Sequence, residues 1–288
     1  MIIETAVGPA NVLHRLALAI ECVDALTDRP SIPAVSGVRV GREVDSRRLP
    51  RDADPWWPCL DFDATGAGYR TLRREPGLPD IVTVRIEDPN RYVVPRRLRV
   101  PLWTATDVEA ADRTPPTGRY VPARSRLLRP WLLPGSARPL PRSATAIRGR
   151  VERNGAVVRW PRITALGPGG VAVGWAHGDD RGEFLLIVTG TGTLPPPAPN
   201  RLNLELAVCA PDLRRQIPAF DPADRYGDLV VEEVPRSAAP PALTDLDNPL
   251  LRGRARPPGY VDSTGPKLHL RVGVGNLRTL HTPIAFAA

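Results

Sequence analysis

At 288 residues and 31.3 kDa the chain has room for one to three domains, and a 42% hydrophobic content supports packed cores and excludes wholesale disorder. Thirty-five prolines and 24 glycines exclude long helices and favour short strands joined by many loops. The net charge of +8 invites a nucleic-acid reading, but the basic residues are interspersed with 31 acids, clusters such as Arg47-Arg48 and Arg96-Arg97 never extend to a run of five or six like charges, and aromatics at 5% make no stacking stripe, so the pattern argues against it.

Residues 1–11 read as an extended arm. A first strand places Leu16, Leu18, Ile20 and Cys22 inward, with Arg15, Ala17, Ala19 and Glu21 on the opposite face; period-two alternation marks a half-buried strand. Val38 and Val40 mark a second strand. Residues 41–60 are charged and proline-rich and read as a long loop carrying Trp56 and Trp57. An exposed pair would form a binding surface; the other reading folds the pair back as a lid on an open sandwich end. Val82, Val84 and Ile86 share one strand face. After a turn at Asp88-Pro89-Asn90, Leu98, Val100 and Leu102 alternate with Arg97 and Arg99. These short strands at turn-punctuated intervals predict a β-sandwich over residues 12–103.

Residues 104–145 hold seven prolines, counting Pro115, Pro116, Pro122, Pro130, Pro134, Pro139 and Pro141. They read as a semi-extended linker, neither helix nor central strand, with apolar anchors Leu127, Leu128, Trp131 and Leu132 that pin it to one domain or to a partner chain. A second sandwich follows over residues 146–210. Asn154-Gly155 is a hairpin turn whose two central positions need positive φ. Ile147, Gly149 and Val151 alternate with arginines; Val171, Val173 and Trp175 share a face; residues 184–188 form a fully buried strand; and Leu202, Leu204, Leu206 and Val208 point one way. Residues 211–288 form an extension ending in a β-hairpin through Gly275-Asn276, which either closes the second sandwich or reaches a neighbour. Asp63, Gly66 and Tyr69 in the first half stand where Asp180, Gly182 and Phe184 stand in the second, a degenerate repeat.

Three cysteines, Cys22, Cys59 and Cys209, give neither a disulfide framework nor zinc spacing, and a Cys22–Cys59 bridge is left open. The amino terminus has no signal-peptide pattern and no window has the run of apolar residues a membrane helix requires, so a cytoplasmic protein is expected. His14, His177, His269 and His281 are scattered, and no nucleophile motif accompanies them. His177-Gly-Asp179-Asp180 is the one local cluster of potential metal ligands, and its residues suit a turn better than a cation loop. No cofactor, metal or catalytic residue is assigned from the sequence.

Within this second region, Gly149-Arg-Val151, then Gly155-Ala-Val157-Val158-Arg-Trp160, then Asp179-Asp180-Arg181-Gly182-Glu183-Phe184 resemble the carboxypeptidase-regulatory-like, transthyretin-like family. The resemblance covers about 60 residues well and implies an all-β fold: two tandem Ig-like or transthyretin-like antiparallel sandwiches with a proline-rich linker and arms. In it Asn154, Gly155, Asp180, Gly182 and Phe184 serve as turn and core residues, with Asp capping, Gly taking a backbone conformation others resist, and Phe filling the core. Trp160-Pro161 departs from the small residue usual there. A chain built mainly of such modules looks like the structural proteins that accompany phage-tail-like contractile injection particles. The resemblance therefore implies a non-enzymatic assembly protein that binds other subunits, is oligomeric in that setting, and is incorporated into a particle. The alternative is a carbohydrate or cell-wall module using Trp56, Trp57 and the sandwich loops.

Overall fold

The computed structural model describes residues 16–30, 37–42, 56–58, 60–62, 69–74, 77–112, 126–189, 200–212, 224–235 and 248–288. Strands dominate, so the chain is all-β. It divides into two units, each assembled from separate stretches: unit 1 is Met1–Ile86, Arg97–Trp131 and Val231–Gly253, and unit 2 is Glu87–Arg96, Leu132–Val230 and Arg254–Ala288. The sequence boundaries at 103/104, 145/146 and 210/211 make contiguous domains, whereas each unit draws on both halves of the chain.

The first half of the chain carries β1 (Leu16–Ile20), β2 (Val23–Asp24), β3 (Arg29–Pro30), β4 (Gly37–Arg42), β5 (Trp56–Pro58), β6 (Leu60–Phe62), β7 (Tyr69–Arg73), β8 (Ile81–Glu87), β9 (Arg96–Pro101), helix α1 (Ala105–Asp112), β10 (Leu127–Leu128) and β11 (Trp131–Leu132). One sheet runs β10–β1–β7–β6, and β11–β2–β3 forms a three-stranded ribbon. The expectation of a half-buried first strand is corrected: Ala17, Ala19 and Glu21 are buried along with Leu18 and Ile20. Alanines on the second face are small enough for close packing there, and Glu21 accepts a hydrogen bond from Arg129 Nε at 2.5 Å.

The linker reading of residues 104–145 is also corrected. Thr104 Oγ1 accepts from the Asp107 N–H, and Asp107 Oδ2 accepts from the Thr104 hydroxyl, a reciprocal cap that starts α1 ahead of the first proline. Val108 fixes the helix against Trp103. Downstream, Leu127 and Leu128 pair in parallel with Ala19 and Ile20, so they anchor the chain to itself.

Unit 2 contains β12 (Ala146–Arg153), β13 (Ala156–Val157), β14 (Arg162–Leu166), β15 (Ala172–His177), β16 (Glu183–Ile187) and β17 (Arg201–Pro211). The chain then supplies β18 (Val231–Glu233) to unit 1, where it pairs in parallel with β9 in the sheet β18–β9–β8–β4–β5. It returns to unit 2 as β19 (Tyr260–Asp262), β20 (Leu268–Gly273), β21 (Leu277–Thr279) and β22 (Ile284–Ala285). One sheet centres on β12, flanked by β16 and β13 and by β21 and β22; the other runs β15–β14–β17, with β19 and β20 both on the outer side of β17. Ile147, Phe184 and Leu186 from the first meet Ile163, Leu204, Leu206, Leu270 and Val272 from the second in one apolar core.

The C-terminal segment is no hairpin. After the turn at Gly275-Asn276, β21 and β22 leave β20 and pair in parallel with β12, 130 residues away in sequence by the bond from Gly275 N–H to Thr145 Oγ1. Leu280, Ile284 and Phe286 enter the core from there, which is why the chain crosses between sheets instead of folding back on β20.

Local turns follow side-chain chemistry. Arg153 and Ala156 pair across Asn154 and Gly155, whose φ values of +52° and +79° are the two left-handed positions of a tight hairpin. Gly149 lies opposite Phe184, and a Cβ on it would sit 2.9 Å from the ring, so the glycine makes room for the aromatic. Gly182 has φ +70°, and a Cβ there would stand 2.7 Å and 2.8 Å from the carbonyl oxygens of Val158 and Val151. Gly182→Ala is therefore expected to lower stability by roughly 2–5 kcal/mol, read as a reduced urea midpoint at unchanged m.

The face shared by Val171, Val173 and Trp175 is broken by a bulge. The β14–β15 register shifts between Ala165 and Leu166, so that Gly174 and Ala176 turn to the core and Trp175 to the outer face. There the Arg254 guanidinium lies 4.2 Å from the centre of its ring.

Candidate functional site

Among the described residues of unit 2, a polar constellation is assembled from four loops that are distant in sequence. The first begins at Asp88, whose buried carboxylate accepts the N–H groups of Asn90, Tyr92 and Val93. Within this knot Arg91 takes φ +59°, and its side chain runs to Asp179 and Asp180. Gly135 lies so close beneath that a Cβ would collide with the Arg91 carbonyl, and Gly135 and Ala137 donate to the carbonyls of Tyr92 and Arg91.

The second loop is the turn at residues 179–183. Asp179 Oδ1 accepts from the N–H groups of Arg181 and Glu183, at 2.9 and 3.0 Å, and the Gly182 N–H donates to the Asp179 carbonyl. The capping carboxylate is thus Asp179, and the assignment of that role to Asp180 is corrected: the carboxylate one residue earlier has the geometry to reach both N–H groups. Asp179 Oδ2 accepts from Arg91 Nη1 at 2.7 Å and from the Ser136 hydroxyl at 3.2 Å. Asp180 instead points to arginines, taking two bonds from Arg91 and an ion pair from Arg225 at 3.4 Å.

The third and fourth loops bring Arg159-Trp160 and residues 224–229 together. Arg159 donates through Nε and Nη2 to the two oxygens of Asp228, and Trp160 Nε1 donates to Asp228 Oδ1 at 3.0 Å. Arg159 also reaches the carbonyls of Asp180 and Arg225. Trp160, Tyr226 and Leu229 form a small apolar cluster beneath, the two rings 6.1 Å apart. Trp160 has φ +57°, unusual for a bulky side chain. Its N–H donates to Asp179, its carbonyl accepts from the Tyr260 hydroxyl at 2.7 Å, and its indole is held by Asp228, so the strained backbone is fixed at three points.

Four guanidiniums, Arg91, Arg159, Arg181 and Arg225, meet four carboxylates, Asp179, Asp180, Asp228 and Glu183. Burial pulls Arg91 and Arg159 down, but the bonds and charges of Asp180 and Asp228 respectively outweigh it, leaving both guanidiniums above their ordinary value. The carboxylates of Asp179 and Asp228 spend their lone pairs on donors of this chain. The arrangement can clamp loops.

His177, Asp179 and Asp180 do not converge as ligands. His177 is buried on β15 opposite Arg162, while both aspartates face arginines. Among the described residues no group of three or more His, Cys, Asp or Glu is placed to hold a metal. Burial first, then the charges of Arg162 and Arg96, push the His177 imidazole well below its ordinary 6.5. The unfolded chain gains a proton near that value and the fold does not, so His177 contributes its full stability above it and loses it as pH falls below. The expected slope is about 1.4 kcal/mol per pH unit, visible as the difference between unfolding curves of the native chain and His177→Asn.

Trp56 and Trp57 stand in edge strand β5, opposite Gly41 and Val40; their side chains lie outside the described residues. Trp131 is half-buried with the Arg252 guanidinium 3.8 Å over its ring, and Leu128 and Leu132 are buried. Cys22 is buried and Cys209 half-buried; burial raises the Cys209 thiol. Cys59, the first-half Asp63 and Gly66, and the 1–11 arm lie outside the described residues, as does most of the segment between α1 and β10.

No family model matches the chain, and no curated protein matches it. Among solved structures it aligns with the Bacillus anthracis TIE protein at 10% identity, over 94% of this chain and 34% of that chain, with a TM-score of 0.23. The chain spans about a third of that neighbour's length, and a likeness of this size carries no argument about fold or function.

Proposed function

We propose that the chain is a non-enzymatic structural protein that binds other protein subunits, with unit 2 a transthyretin-like sandwich serving as its rigid platform. The observation that supports this best is the outer side of β17. That eleven-residue strand is covered by β14 on one side and by β19 and β20 on the other, and among the described residues β20 pairs with nothing further. A six-residue edge strand is a site where another chain can add main-chain hydrogen bonds. The four-loop ion-pair clamp supports the same reading, because it fixes loops without leaving the Asp179 or Asp228 carboxylate open for chemistry. Incorporation into a phage-tail-like contractile particle is the setting we propose for it.

The test is purification of the tagged full chain from cells in which it is naturally made, followed by native mass measurement. A complex of fixed subunit ratio is expected. A monomer that retains no subunit would refute the proposal, as would turnover of an ester, peptide or glycan substrate by the purified chain.

A further inference from the structure

The partner of the β20 edge can be described from its chemistry, an inference that rests on the assembly reading above. The Val274 N–H donates to the Asn200 carbonyl at 3.1 Å, which makes 200 and 274 a hydrogen-bonded pair of the antiparallel ladder. In the register Leu202↔Val272, Leu204↔Leu270 and Leu206↔Leu268, the same alternation makes these pairs the bonded ones. The N–H and C=O groups of His269 and Arg271 then point away from β17. Two observations agree: the outward Arg271 carbonyl accepts from Arg278 Nη1 at 2.6 Å, and the Gly273 carbonyl accepts from the Asn276 N–H.

The side chains around this edge are basic. His269 and Arg271 are exposed on the outer face of the sheet, Lys267 precedes them, Arg278 reaches across to the edge, and Arg201 stands opposite Gly273. Glu205, opposite His269, is paired with Lys267 at 2.5 Å. A second copy adding its own β20 would bring a second Arg271 up to the edge that already carries Arg271 and Arg278, and like charges close together across a strand pair destabilise it. A strand with carboxylates at alternate positions would instead place them beside His269 and Arg271 while its backbone bonds the outward amides. Displacing Arg278 from the Arg271 carbonyl frees a further cation for the same carboxylates.

We propose that β20 receives an acidic extended segment of a partner protein by strand addition. The experiment uses the full chain and a fluorescein-labelled peptide of alternating Glu and Val, titrated by anisotropy at low salt, with a Lys–Val peptide and an edge-N-methylated Glu–Val peptide as controls. Binding by Glu–Val alone is expected, weakened about 10-fold or more by Arg271→Glu and less by Arg271→Ala. Carbodiimide coupling should attach the bound peptide at Lys267, the chain's only lysine. Circular dichroism and urea unfolding confirm that the variants are folded. Equal binding of the Lys–Val or N-methylated peptide, or unchanged affinity in folded Arg271→Glu, would overturn the proposal. Loss of peptide binding with an intact native complex refutes this edge alone; peptide binding by a chain that forms no complex refutes the assembly reading and leaves the edge standing.

Discussion

Asp179→Ala is expected to destabilise unit 2 by about 3–5 kcal/mol, the range for removing one partner from a buried ion pair. Two effects combine. The N–H groups of Arg181 and Glu183 lose their acceptor inside a turn, and Arg91 and Ser136 lose theirs beneath it. Asp179→Asn separates the two: its amide oxygen can still cap the turn, so the loss is expected to be smaller and to report mainly the charge facing Arg91. Equilibrium unfolding in urea measures both. Equal stability of Asp179→Ala and the native chain would mean that the clamp holds nothing.

Phe184→Ala is expected to cost about 3–5 kcal/mol, because the ring is wholly buried and the surroundings of a deleted core ring relax only partly into the space it leaves. The ring rests on Gly149 across the β12–β16 pair, with Leu280 from the C-terminal segment also close to that glycine. The cavity would therefore open where the first strand of the unit meets its last stretch of chain. Lower thermal stability should come with faster hydrogen exchange at Leu280 and Phe286, whose N–H groups donate to the Arg148 and Glu152 carbonyls. Loss of stability without that exchange pattern would show that the ring does not tie the two segments together.

The strands were legible because alternation is written in single residues. Leu98 and Val100, or Leu204 and Leu206, report their inward face without reference to anything distant. The Asn154-Gly155 hairpin was legible for the same reason, since its chemistry is confined to two positions. Helix α1 was signalled by Thr104 and Asp107, spaced as a cap, but the prolines that follow outweighed a short local cue. The outward face of Trp175 is not legible in sequence, because one bulge residue exchanges the faces of β15 and a bulge leaves no mark in composition. The loop clamp was the least legible part. In a chain with 39 basic residues, nothing local distinguishes Arg91 or Arg159 from a solvated arginine. Their partners Asp179, Asp180 and Asp228 lie 69 to 89 positions away, so only the folded arrangement shows which charges belong together.

The parallel pairing of β21 and β22 with β12 has a kinetic consequence. These short strands reward the chain with few bonds and a handful of apolar contacts only after a very long loop has closed, so they should dock late. Until they do, one flank of β12 is bare, and the core it covers is open where Leu280, Ile284 and Phe286 will sit. That intermediate would be the species most prone to pair with the wrong chain, and crowding or overexpression would find it before the native protein.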